Sequence, residues 1–256
     1  VNRLAIIDAE SRRFAEVLAH TPPDARCPTC PDWTDWTAAD LLWHLTEVHL
    51  FWAAVLFRNV TAEDGVAAVE QSKPSRPDSV ADLLALREGA TSVLLAELSR
   101  LDDAEPRWSW FPSDQTVGFT RRMQTYEALM HRVDAELAAG LPIGAIAADV
   151  AAGAVDHAVD VMWAWQPEGS HFERAAVVEF VATDTAQRWQ VDVGAAGDWP
   201  SAVRSPDTQV VMASATVRGT AADLALWAWN RGGSVDTSGE PASLQALDAM
   251  VSRGMP

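Results

Sequence analysis

The chain has 256 residues, 48% of them hydrophobic, and a formal net charge of −17 from 19 Lys and Arg against 36 Asp and Glu. It is long for one domain and comfortable for two, with enough apolar residues for a sizeable core. So acidic a surface repels phosphate backbones and excludes nucleic acid as an expected partner, and no basic amphipathic helix points to a membrane.

Helical spacing begins at 3–19, through Leu4, Ile7, Phe14, Val17 and Leu18. This start is charged throughout and lacks a signal-peptide core, so a soluble cytoplasmic protein is expected. A Pro-punctuated loop follows, with Cys27 and Cys30 in CPTCPDW. No strand precedes the pair and no second pair completes four ligands, so they read as two reduced loop thiols.

Thr37 with Asp40 resembles a capping box, opening a helix to about Asn59. Further helical patterns cover 79–100 and 117–139, the second stopped by Gly140 and Pro142. Between them, Trp108, Trp110 and Phe111 mark an aromatic loop that either selects substrate or packs at the domain junction. One more helix fits 144–165. The uncharged run near 137–155 is broken by Pro142 and Asp149, short of the about 20 apolar residues of a spanning helix.

The texture then changes. Residues 175–183 and 186–194 read as a β-hairpin and 208–217 as a third strand, before helices over 220–230 and 241–252. The expected organisation is a helical bundle over 1–165 and a smaller α+β domain over 166–256.

Faces follow from the turn of about 100° per residue. His44 lies about 40° from Val48 and about 60° from Leu41, on the core-facing stripe, whereas His49 is about 140° away from it. In TYEALMHRVDAELAAG, the residues Glu127, His131 and Asp134 share about 60° of arc beside the apolar Tyr126, Met130 and Val133. Arg132 and Glu136 fall on the solvent side. Each segment has a plain reading: a hydrogen-bonded core histidine, and a solvated face with pairs one turn apart. Together, His44, Glu127 and His131 make the two-imidazole, one-carboxylate set of catalytic zinc, which helix bundles build from facing helices. The pattern is not the H-E-x-x-H of zinc proteases.

Two stretches, CPDWTDWTAADLLWHLTEVHLFW and YEALMHRVDAELAAG, resemble the mycothiol-dependent maleylpyruvate isomerase family within the DinB-like metalloenzymes. A looser match is VRGTAADLALWAWNR near the end of the chain. The resemblance implies a DinB-like four-helix bundle followed by a sterol-carrier-like α+β domain. It implies a divalent metal, usually zinc, at His44, Glu127 and His131. Asp134 fits the recurrent H-x-x-D pattern, either holding a ligand in place or packing the helix. Arg231 matches an arginine that meets a substrate carboxylate, a task suited to its planar fork; otherwise it simply ends a helix.

The chemistry implied is activation of a low-molecular-weight thiol, mycothiol in the resembled enzymes, for addition to an electrophilic small molecule such as a maleylpyruvate-like acid. Cis–trans isomerisation returns the thiol, whereas an S-transferase leaves it attached. A metal-binding or sensor protein without catalysis is the alternative class. Substrate, thiol, metal and oligomeric state are not legible in the residues.

Overall fold

The computed structural model describes residues 1–28, 36–206 and 212–254. Two compact units divide the chain between Gly144 and Ala145.

The helical unit contains α1 (Arg3–Leu18), α2 (Ala38–Phe57), the short α3 (Val66–Glu70), α4 (Val80–Arg100) and α5 (Val117–Ala138). Helix starts are specified locally. Asn2, Ser79 and Thr116 each accept a backbone N–H at an N-cap. At α2 the capping box is complete: the Thr37 N–H donates to Asp40 Oδ2 at 2.9 Å and the Asp40 N–H to Thr37 Oγ1 at 3.2 Å. Apolar stripes then meet in a core through Phe14, Leu41, Leu45 and Leu83. Burying each such side chain contributes about 1.5–3 kcal/mol, against about 1 kcal/mol for a typical cap.

Two expectations about faces are corrected. Arg132 and Glu136, expected in solvent, are buried. Helix α1 covers them and supplies their partners: Arg132 Nε donates to Glu10 Oε2 at 2.7 Å and Arg13 Nε to Glu136 Oε1 at 3.2 Å. His49 is also fully buried, while His44 keeps partial exposure. The reason is that α2 packs on both α4 and α5, so it has two buried faces where a single stripe was assumed. Trp108, Trp110 and Phe111 pack on the helical unit itself, against Trp52 and Phe119.

The second unit opens with α6 (Ala148–His157), which continues as a π-helical turn (Ala158–Met162). The sequence reading put the boundary at 165 because the β-branched texture starts after it; α6 instead groups with the second unit, packing on α7 (Ala221–Ala228). The strands are β1 (Phe172–Ala182), β2 (Arg188–Ala196), β3 (Trp199–Arg204), β4 (Ala215–Gly219) and β5 (Asp236–Gly239), and α8 (Pro241–Ser252) ends the unit. They form one sheet in the order β3-β2-β1-β4-β5, antiparallel except where β1 runs parallel to β4.

The expected hairpin is β1–β2, in register with Val178 opposite Val191. A bulge interrupts it between Arg174 and Ala176, and Gly194 is required opposite: a Cβ there would lie 2.0 Å from the Glu173 carbonyl oxygen. Of the expected strand at 208–217, residues 208–211 lie outside the described residues and its end belongs to β4. Strand β3 was not anticipated, although Gly197–Asp198 forms a two-residue link pairing Ala196 with Trp199. Strand β5, Asp-Thr-Ser-Gly, is polar and exposed throughout, with no alternation to read.

Candidate metal centre

Helices α2 and α5 bring His44, Glu127 and His131 together. One ligand atom from each lies within 4.8 Å of the other two. The geometry follows from the helices: Glu127 and His131 are one turn apart, and α2 brings His44 across to them. His131 Nε2 is 3.2 Å from Glu127 Oε1, and His44 Nε2 is 3.4 Å from the same oxygen. A tetrahedral ion with ligands at about 2.0–2.2 Å separates its ligand atoms by about 3.3–3.6 Å. The donor set therefore fits a divalent ion such as zinc in chemistry and in the spacing of each imidazole from the carboxylate, and three ligands would leave a fourth position for a small molecule.

Asp134 completes the support. Its Oδ2 accepts from His131 Nδ1 at 2.9 Å, and the pair is buried. This holds the ring so that Nε2 faces Glu127, the arrangement by which a carboxylate orients a metal-bound imidazole. The ring of Trp36 lies 5.0 Å from that of His44, and the two imidazoles meet edge to face at 4.8 Å. The sequence reading gave Trp36 no place beside the ligands; its one signal is that it precedes the N-cap of the helix carrying His44.

The electrostatics are those of a site built for a cation. Burial alone would raise the Glu127 carboxyl, but the imidazoles of His131 and His44 more than offset it and hold it well below the usual range. Burial alone would lower His131; Glu127 and Asp134 instead push it up to about 9. Without metal, a proton on His131 thus balances part of the carboxylate charge, and a metal ion must displace it.

Arg231 belongs to the second unit, where it is buried and donates from Nη1 to the Trp229 carbonyl at 2.7 Å. Cys27 is buried in the helical core, and Cys30 lies outside the described residues. No helix among the described residues is long and apolar enough to cross a membrane.

Comparison with known proteins agrees with this architecture. Residues 4–136 match the family "Mycothiol maleylpyruvate isomerase N-terminal domain", and residues 149–246 match "MDMPI C-terminal domain". The crystal structure of the mycothiol-dependent maleylpyruvate isomerase superposes with a TM-score of 0.58 at 16% identity, covering 93% of this chain and 92% of that one. A single-substitution variant of that isomerase superposes at 0.55 and 15% identity, with the same coverage of 93% and 92%. No curated protein matches the chain. A helical unit with a converging His-Glu-His set, a sheet-containing unit after it and two consecutive domain matches lead to one conclusion: the chain belongs to the mycothiol maleylpyruvate isomerase family.

Proposed function

We propose that the chain is a thiol-dependent metalloenzyme, an isomerase in which His44, Glu127 and His131 hold a divalent ion, zinc by the nature of the ligands. The observation that carries this reading is the convergence of those three side chains from two helices, within a chain of this family. A bound ion supplies Lewis acidity that keeps a thiol ionised at neutral pH, where a free thiol of pKa about 8.5 is only a few per cent thiolate.

The protein's own residues have distinct tasks. Glu127 remains anionic and draws both imidazoles inward, and Asp134 fixes the ring of His131. The thiol, mycothiol by family, adds through sulfur to the conjugated cis double bond of a maleylpyruvate-like acid. Rotation about the resulting single bond and loss of the thiol restore the double bond as trans. By the resemblance of VRGTAADLALWAWNR to the family, Arg231 is the candidate for a substrate carboxylate, which its planar fork suits by binding two oxygens at once. The substrate is thus a small electrophilic carboxylate, with no part for nucleic acid or membrane.

The test combines metal content with turnover. Full-length protein purified without an affinity metal is expected to hold about one ion per chain. It is expected to isomerise maleylpyruvate only with mycothiol present, and to lose activity to chelator. Thiol consumed in proportion to product would make it a transferase. Turnover that survives complete metal removal would overturn the proposal.

A further inference from the structure

The helical unit buries a second polar centre with no counterpart in the metal reading. Arg87 of α4 is 1% exposed and forms no ion pair among the described residues. Its Nη1 lies 2.8 Å from His49 Nδ1, its Cζ lies 5.5 Å over the Phe14 ring, and its Nε and Nη2 have no partner. A guanidinium only donates, so His49 accepts at Nδ1. A neutral His49 then carries its proton on Nε2, which is buried and also unpartnered. Burial, with Arg87 beside it, holds His49 well below its ordinary value and neutral.

The unmet groups are thus nearly all donors. To them is added the Ser11 hydroxyl of α1, buried and unpartnered. An unsatisfied guanidinium in a protein interior costs several kcal/mol, and what would relieve it is an acceptor bearing negative charge. Among the described residues no carboxylate accepts from these donors.

Access and shape narrow the ligand. Ser11, Arg87 and Thr91 belong to the wall of a groove of about 790 Å³ along α1 and α4, within the size range of small-molecule sites, and the unpartnered donor atoms lie just beneath that wall. Nε–H and Nη2–H lie side by side on one edge of a guanidinium, the edge that binds two oxygens of a carboxylate in parallel. Residues of both signs also line the groove, Asp8, Glu16 and Glu88 as well as Arg12, which disfavours multiply charged anions.

We propose that Arg87 and Ser11 form a carboxylate-binding site in the groove between α1 and α4. It takes a monocarboxylate, or the carboxylate end of a larger ligand seated along the groove. Neither Arg87 nor Ser11 belongs to the His44, Glu127 and His131 set, although His49 beside Arg87 feels the charges of Glu127 and His131, and the proposal holds whether or not those residues bind metal.

Formate is the probe. On ¹⁵N-labelled full-length protein, the Arg87 Nε–H resonance is followed as sodium formate replaces sodium chloride at constant ionic strength. The resonance is expected to shift saturably, at the same midpoint with metal present or removed. Thermal stability should rise along the same curve, because a ligand bound only by the folded state stabilises it. Arg87→Met should abolish both responses, and Ser11→Ala should weaken binding about threefold to tenfold. An Arg87 signal unmoved by formate would overturn the proposal and assign its donors to buried water. So would a formate response equal in wild type and Arg87→Met. Should Arg87→Met not fold, the wild-type titration alone decides, with the resonance assigned through side-chain correlations.

Discussion

Two buried arginines of the same helical unit have opposite surroundings. Arg132 donates to Glu10 at 2.7 Å, to Glu136 at 2.7 Å and to the Gly144 carbonyl at 3.1 Å. Arg87, no less buried, has among the described residues the neutral imidazole of His49 and the Phe14 ring beside its guanidinium, and no carboxylate. Glu136 also accepts from Arg13 and from the Gly144 N–H, so the Arg132 network closes on itself and ties α1 to α5. A closed network has no use for a ligand; an open set of donors does. His131 lies between the two cases: a buried cation balanced by Glu127 and Asp134, a role that a metal ion would take over in the proposed enzyme.

The contrast yields four measurements. The largest effect is expected for Arg132→Met, which takes the buried guanidinium from Glu136 and leaves it only Arg13 and the Gly144 N–H. Denaturant unfolding of the full chain should show a loss of about 3–5 kcal/mol in the helical unit. Next comes Asp134→Asn, which keeps the shape but removes the charge behind His131. Zinc affinity, measured by competition with a chelating dye, should fall about 10–100-fold with the helices intact by circular dichroism.

Arg87→Met should change stability by no more than about 1 kcal/mol, since it strands no carboxylate and relieves an unpaired charge. A loss as large as that of Arg132→Met would break the comparison and make Arg87 structural. The smallest effect is on pH. His131 is raised to about 9 from 6.5, so its contribution to metal-free stability is complete below about 6.5 and fades as pH climbs to about 9. His131→Gln should flatten that slope. Zinc affinity should move the other way, strengthening with pH over the same interval, because binding displaces the proton.

Much of the molecule was legible where local chemistry decides. The capping box at Thr37 and Asp40, the four long helices and the β1–β2 hairpin all rest on residues a few positions apart. The grouping of Glu127, His131 and Asp134 is likewise a property of one helix, legible from its periodicity alone. Arg87 carried a signal that went unused: it stands one turn after Leu83 and ahead of Ala90 and Leu94, on the buried stripe of α4.

What the sequence by itself determined is therefore the set of elements, the face shared by the α5 residues, and the candidate ligands. The tertiary structure alone decided which faces are covered and by what. Periodicity assigns a helix one buried stripe, but α2 is packed on two sides, which buries His49 and leaves His44 partly open. Arg132 and Glu136 look solvated until α1, more than 120 residues away, lays Glu10 and Arg13 against them. Strand β5 has no apolar pattern and exists by pairing with β4. In each case the deciding partner is distant in the chain, and only packing brings it near.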